Sequence, residues 1–173
     1  MELNKSTSQI FYETNHNVNR KRVKTIIMNA AHVHLALNHF PILLPLIALI
    51  LLILGLVLKN DLVKRIAYGM MMVSGIFTFF MMNSGEGAEE IVEELGRNHD
   101  LIHEHEEKAE TFALLSYLSA VFAAIAFWIN WKRKPFSDIS LYISILLCGV
   151  LLYLGQKTGS SGGEITHEEI VEK

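Results

Sequence analysis

The sequence predicts an all-α fold, an integral membrane four-helix bundle with an extracytoplasmic helical connection between helices two and three. Four long runs contain no Asp, Glu, Lys or Arg: Ala30–Leu58, Ile66–Gly85, Thr111–Trp131 and Ile139–Gln156. Each run is long enough, or nearly so, to cross a hydrocarbon core of ~30 Å at ~1.5 Å per residue. Only a helix satisfies its own backbone hydrogen bonds in lipid without a partner strand, so each run is a predicted transmembrane helix.

A soluble helical bundle is the alternative, and the first run argues against it. A helix of a soluble bundle keeps polar residues on one face, at every third or fourth position. The stretch PILLPLIALILLILGLVL, from Pro41 to Leu58, has no such face. A cleaved signal peptide is disfavoured because this run is too long and no small-residue cleavage site follows it. The single cysteine, Cys148, excludes an internal disulfide and an iron–sulfur cluster, and we interpret it as packing.

These runs divide the chain into three segments. Residues 1–27 lack apolar periodicity, so they form either a disordered leader or an extension upstream of a natural start at Met28. Residues 28–156 form the transmembrane domain, and residues 157–173 form a flexible polar tail, with a Gly/Ser hinge, that returns to the outer face. The predicted membrane spans cover residues 36–58, 66–84, 111–131 and 139–156.

The loops alternate in charge, which predicts the orientation in the membrane. Loops 59–65 and 132–138 each carry three basic residues, whereas the connection 86–110 carries ten acidic and two basic residues. Basic residues in short loops stay on the cytoplasmic side. The two short loops are therefore predicted inside, and the acidic connection, the tail and the start of helix one outside. A basic cluster of the leader, Arg20, Lys21, Arg22 and Lys24, disagrees with this orientation, and either the dense charge of the later loops or a start at Met28 would explain it.

Seven histidines on the predicted outer side are the main functional signal: His32, His34, His39, His99, His103, His105 and His167. His32 and His39 are seven residues apart and share one helix face, whereas His34 and Asn38 are four apart and share another. The prolines that follow either start the membrane helix near Pro41 or kink a longer helix there. In both cases His39 lies deepest, at the apolar boundary.

The acidic connection supplies carboxylates at helical spacing. Glu86, Glu89 or Glu90, and Glu93 recur along one predicted helix, and a break at residues 96–98 separates it from the helix that leads into the third span. On that second helix, one face carries His99, His103, Glu106 or Glu107, and Glu110. This face is either a set of metal ligands or a solvated acidic surface with ordinary i,i+4 pairs.

The residue types limit the cofactor to haem b or a transition metal ion. Imidazole with carboxylate suits zinc, iron or manganese, and copper would also recruit methionine, for which Met81 and Met82 are near the outer face. Haem would need one or two imidazoles in a dry pocket, where His39 is the best axial candidate and His34 and His103 are further ones. The Glu-x-x-His spacing of the tail is that of carboxylate-bridged metal sites. The candidate metal ligands are His32, His34, His39, Glu86, Glu90, His99, His103, Glu106, Glu107, Glu164 and His167.

Four motifs carry a resemblance to a known family: HVHLALNHFPI (32–42), GEGAEE (85–90), H-E-E-x-A (105–109) and G-G-x-I-x-H (162–167). Together they resemble a widespread group of predicted bacterial membrane proteins, a transmembrane domain of unknown function with a histidine-rich N-H-F-P motif at the start of helix one. The resemblance covers residues 28–170. It implies a four-helix fold in the bacterial cytoplasmic (inner) membrane, and it implies no particular activity.

Three functions stay open. The first is a membrane protein that binds a metal ion or haem at its outer face, for electron transfer, metal handling or assistance to a respiratory complex. The second is a transporter subunit, which the lack of ionisable groups at the span centres disfavours. There the polar exceptions are Ser74, Thr78, Ser116, Ser119, Ser140 and Ser144. The third is a structural or pH-responsive accessory subunit whose histidines only titrate.

The sequence predicts no catalytic residue. It contains no Gly-rich phosphate loop and no nucleophile elbow, and a metal-activated water at the outer face is the one enzymatic chemistry that these residues would support. The expected partners are the lipid bilayer and other subunits of a membrane complex, and no nucleic acid.

Overall fold

A computed structural model describes residues 31–166 and three single positions, 12, 18 and 25. Within residues 31–166 the chain forms four long helices: α1 (Phe40–Val57), α2 (Asp61–Glu94), α3 (His99–Trp131) and α4 (Ser137–Thr166). A leading segment, residues 31–39, precedes α1; it is helical to residue 37 and ends in a turn at 38 and 39. All four helices, α1 together with its leading segment, are long and apolar enough to cross a membrane. The predicted all-α, four-helix membrane fold is confirmed.

The four helices form a ring in chain order. Each helix packs against the next one along the chain, and α4 closes the ring on α1. Helices α1 and α3 therefore lie diagonally opposite each other, as do α2 and α4. We call the end with the turns 58–60 and 132–136 the inner end and the end with residues 31–39 and the α2–α3 connection the outer end, after the predicted orientation.

Small side chains let the helices approach closely in the middle of the bundle. A Cβ on Gly75 of α2 would lie 2.6 Å from the Cβ of Ala120 on α3. Close contacts between small residues are the usual way in which membrane helices gain packing energy, because lipid supplies no hydrophobic driving force between them. The apolar core on the inner side consists of Ala48, Leu52, Ala67, Tyr68, Met71, Ala123, Ala126, Leu141 and Cys148.

Asn130 joins three helices at the inner end. The side chain is buried, and its Oδ1 accepts a hydrogen bond of 2.8 Å from Arg65 Nε on α2. Its Nδ2 donates to Asp61 Oδ1 on α2 at 3.3 Å and to Ser137 Oγ on α4 at 3.1 Å. A buried amide with these partners holds the ends of α2, α3 and α4 in one register.

Helices α2 and α3 are longer than the predicted spans, because their charged outer turns stay helical. Helix α3 has 33 residues and is therefore ~50 Å long at ~1.5 Å per residue, which exceeds a ~30 Å hydrocarbon core by ~20 Å. The charged residues 99–110 account for most of this excess, so they project beyond the core. The predicted break at residues 96–98 is confirmed, with Gly96 at a φ of 73°.

Residues 157–166, the first part of the predicted flexible tail, continue α4 without a break. Glycine and serine favour a hinge by intrinsic propensity, but tertiary contacts override it here. Thr158 Oγ1 donates to the Lys108 carbonyl of α3 at 3.2 Å, and Ser161 is buried against the same helix. Residues 167–173 and the leader, apart from its three single positions, lie outside the described residues.

In the structure, a turn at residues 38 and 39 separates the helical leading segment from α1, so the membrane helix starts near Pro41. The leading segment is helical, and the turn falls just ahead of Pro41, which occupies the first turn of α1. Proline fits there because the first-turn N–H groups have no partner within the helix.

Candidate functional site at the outer end

The histidine and carboxylate face of α3 lies on the protein surface. His103 contacts two carboxylates, with 3.8 Å from Nδ1 to Glu106 Oε2 and 3.6 Å from Nε2 to Glu107 Oε1. His99 lies 3.8 Å from Glu93, and its side chain is 81% exposed. These are pairs on a solvated surface, which contribute little to stability. This face therefore matches the second of the two readings, a solvated acidic surface.

The other predicted ligands do not converge either. Four of them are exposed: His32, His39, Glu86 and Glu90. His39, expected to lie deepest, is the N-cap residue of α1 and forms no side-chain capping bond within the described chain. Glu164 is half-buried in the last turn of α4, and His167 lies outside the described residues. Among the residues that the structure describes, no group of three or more His, Cys, Asp or Glu side chains could hold a metal ion.

His34 is the predicted ligand that faces the bundle interior. Its ring is half-buried, and Nδ1 lies 3.1 Å from the Met81 carbonyl oxygen of α2 and 3.5 Å from Ser84 Oγ. Ser84 Oγ itself donates to the same carbonyl at 2.9 Å. A carbonyl oxygen can only accept, so Nδ1–H is the donor. The Cε1 atom lies 3.9 Å from the position of a Cβ on Gly85, so the ring also packs beside this glycine.

His105 repeats this arrangement on the opposite side of the bundle. Its Nδ1 lies 3.1 Å from the Thr158 carbonyl oxygen of α4 and 3.1 Å from Ser161 Oγ. Ser161 Oγ donates to the Thr158 carbonyl at 2.9 Å, and Gly162 packs directly against the ring. We call each arrangement a histidine clamp: the His34 clamp is His34, Met81, Ser84 and Gly85, and the His105 clamp is His105, Thr158, Ser161 and Gly162.

Both clamps lie at the outer end of the bundle, and each joins two successive helices. Burial lowers the pKa of His105, and the neighbouring His34 and Lys108 lower it further, while the hydrogen bond to Thr158 opposes them. In a neutral imidazole that donates from Nδ1, the lone pair is on Nε2. Neither Nε2 has a hydrogen-bond partner among the described residues.

Asn38 lies one helical turn below His34 on the same interior face. Its Oδ1 is buried and has no hydrogen-bond partner among the described residues. A buried amide oxygen without a partner costs roughly 1–3 kcal/mol, so such an atom signals a missing partner. The sequence prediction that His34 and Asn38 share a face is therefore correct, and this face is the one that points inward. His32 and His39 are exposed because they lie on the other face of the same segment.

Glu89 of α2 and Glu106 of α3 form a carboxyl pair at the outer end. A hydrogen bond to the Glu106 carboxyl raises the pKa of Glu89, burial and the charge of Glu106 raise it further, and His99 opposes them. Repulsion between two carboxylates at short range favours the protonated form of Glu89, which is why its pKa is raised. Glu89, rather than the exposed Glu90, is thus the residue of the acidic segment that faces α3.

A few buried polar contacts lie between the clamps and the apolar core of the inner side. Thr78 Oγ1 and Ser116 Oγ are 2.8 Å apart, and Ser74 Oγ donates to the Pro41 carbonyl at 3.2 Å. Below them the bundle is filled mainly by the apolar core described above. The half-buried polar groups of the clamps therefore lie at the outer end of the bundle, beyond the apolar core.

His105 was in the group of outer histidines but absent from the predicted ligands. A repeated pattern could have identified it. The chain contains His-x-His twice, at 32–34 and 103–105, and Ser-Gly follows the second histidine 50 and 56 residues later, at 84–85 and 161–162. In both cases the second histidine is half-buried and packs against that Ser-Gly pair, whereas the first one is exposed.

In comparisons with known proteins, no family model, no curated protein and no solved structure matches the chain. The fold and the site define its class, a multi-pass membrane protein with a four-helix bundle and two half-buried histidines at one end.

Proposed function

We propose that this membrane protein binds haem b at its outer end and that His34 and His105 are the ligands of the iron. The observation that supports the proposal is the pair of histidine clamps. In each clamp a backbone carbonyl takes the Nδ1–H, so the Nε2 lone pair is directed to a ligand. Metal-binding histidines commonly use such a second hydrogen bond, because it selects the tautomer and orients the ring.

The donor set fits haem better than a bare metal ion. A structural zinc ion takes four protein ligands, whereas haem iron already has four porphyrin nitrogens and needs one or two imidazoles. Burial lowers the pKa of His105, which keeps its ring in the neutral, metal-binding form. Gly85 and Gly162, which have no side chain, let each ring pack close to the backbone of the neighbouring helix. Haem supplies one-electron chemistry when bound, and the chain binds it, orients its ligands and shields it from water.

Copper(I) is the second candidate, and Met81 favours it. The Met81 side chain is buried, and its backbone carbonyl is the acceptor of His34. A thioether with two imidazoles is a donor set that suits copper(I). In this alternative Met81 would join His34 and His105 as a ligand.

The test is an absorption spectrum with metal analysis of gently purified protein. A Soret band and one iron per chain support haem, whereas one copper per chain without a Soret band supports the second candidate. The double variant His34→Ala/His105→Ala should lose the cofactor, and each single variant should change the absorption spectrum of the bound cofactor. His32→Ala and His103→Ala are matched controls, because each removes the exposed partner of the same His-x-His pair.

Protein that carries neither cofactor would refute both candidates. The clamps would then only join the helices of each hairpin, as expected for an accessory subunit, and pull-down of a membrane complex would be the next measurement. Histidine-dependent flux into liposomes would instead support a transporter.

A further inference from the structure

We infer that the hairpins α1–α2 and α3–α4 are two copies of one unit, and that equivalent histidines from both copies occupy the two axial positions of the iron. This inference rests on the proposed function and narrows it to electron transfer. It is carried by the correspondence between the two halves of the bundle.

The clamps correspond atom by atom. In each clamp, Nδ1 of the histidine contacts the carbonyl oxygen of one residue on the next helix, called residue i, and the hydroxyl of the serine at i+3. This serine hydroxyl donates a hydrogen bond to the same carbonyl oxygen. In each, a glycine at i+4 packs beside the ring. A serine that donates to a carbonyl of its own helix is common in membrane helices. That tendency does not account for a histidine that donates to the same carbonyl, or for a glycine that follows the serine.

The inner turns correspond as well. Lys59 and Arg133 have positive φ angles of 50° and 49°. After them, Asn60 N donates to Gly55 O and Lys134 N donates to Ile129 O, both at 3.0 Å and both across five residues. Many helices end in this way, so the two turns are consistent with a repeat but do not by themselves indicate one.

The sequence supports the same correspondence beyond the clamps. EEIVE occurs at 89–93 and again at 168–172, in each case shortly after the Ser-Gly pair of one copy. Together with the two His-x-His pairs, the motifs recur in the same order in both halves.

The ring order of the helices supplies the symmetry axis. Because α1 lies diagonal to α3 and α2 to α4, a half-turn about the bundle axis exchanges the two hairpins. Parallel repeats in membrane proteins are related by such an axis along the membrane normal. The half-turn brings the His34 clamp onto the His105 clamp, so a ligand on the axis meets both histidines in equivalent surroundings.

Equivalent ligands on both sides leave the iron no open position. Haem proteins that bind oxygen keep one axial position free, whereas ligation on both sides suits electron transfer. Electrons would enter from a reduced one-electron carrier and leave to an oxidised one, and no other bond forms or breaks. Because the site lies at the outer end above an apolar core, both carriers would approach from that end.

The test uses carbon monoxide on the dithionite-reduced, haem-loaded protein. We expect the wild type to show no carbon monoxide spectrum. His34→Ala and His105→Ala should each bind it, with closely similar absorption and electron paramagnetic resonance spectra. The controls His32→Ala and His103→Ala should behave as wild type. Ser84→Ala and Ser161→Ala, which keep both ligands, should shift the midpoint potential in the same direction.

The outcomes separate this inference from the proposed function. Wild-type protein without a Soret band sinks the proposed function itself. A Soret band together with carbon monoxide binding by the wild type would contradict ligation on both sides. A Soret band that responds to only one of the two histidine substitutions, or serine substitutions with opposite shifts, would contradict the equivalence of the two hairpins.

Discussion

Gly162 is the position where one added methyl group tests the His105 clamp most directly. A Cβ there would lie 3.1 Å from His105 Cε1, 3.4 Å from Nδ1 and 3.7 Å from Nε2. Carbon atoms prefer separations of ~3.5–4.0 Å, so in Gly162→Ala the ring must retreat by roughly 0.4 Å or more. This movement lengthens the 3.1 Å hydrogen bonds from Nδ1 to Thr158 O and Ser161 Oγ.

Gly163 supplies the matched control for the same substitution. No heavy atom lies within 4 Å of the position of its Cβ, and both glycines are inside α4. Alanine favours a helix over glycine by ~1 kcal/mol, a gain that both variants share. Overpacking and a weakened hydrogen bond together cost about 1–3 kcal/mol, and only Gly162→Ala incurs this cost.

We therefore expect Gly163→Ala to be more stable than wild type and Gly162→Ala to be about 1–3 kcal/mol less stable than Gly163→Ala. The assay is reversible unfolding in mixed micelles, followed by tryptophan fluorescence. Equal stability of the two variants would refute the packing of the His105 ring against Gly162.

Three further predictions concern the same bundle. Burial lowers the pKa of His105 from its ordinary value of 6.5, so the unfolded chain binds this proton more readily than the native one. Thermal stability should therefore fall as the pH drops below 6.5, and less so in His105→Gln; a parallel fall in both would contradict this. Gly75→Ala, whose Cβ would lie 2.6 Å from a Cβ of α3, should unfold at lower temperature than Gly69→Ala, which meets open space. Asn130→Ala leaves Arg65 without its 2.8 Å acceptor and should cost about 2–4 kcal/mol in micelle unfolding; a loss under 0.5 kcal/mol would show that water replaces the amide.

The fold could be predicted from the sequence because its dominant signal is local. A charge-free run that is long enough to cross the hydrocarbon core forms a helix, because only a helix pairs its backbone groups within the run itself. This holds whatever the rest of the chain does. The ends of the helices were harder to predict. Residues 157–166 have the composition of a hinge, and only the contacts of Thr158 and Ser161 with α3 keep them helical.

The site was predictable in part. Helical spacing places His34 and Asn38 on one face and His32 and His39 on another. The spacing does not predict which of the two faces is buried. The choice between them depends on where α2 packs, which is a property of the assembled bundle. His105 was missed for a similar reason, since among many charged neighbours its burial against Gly162 leaves no local trace.

The sequence by itself determined the number of helices, their apolar middle parts and the gathering of histidines and carboxylates near one end. Tertiary structure alone decided which histidines turn inward, because burial is set by the glycines and serines of neighbouring helices. It also revealed that the two hairpins use the same clamp, since a hydrogen bond across about 50 residues is invisible until the chain has folded.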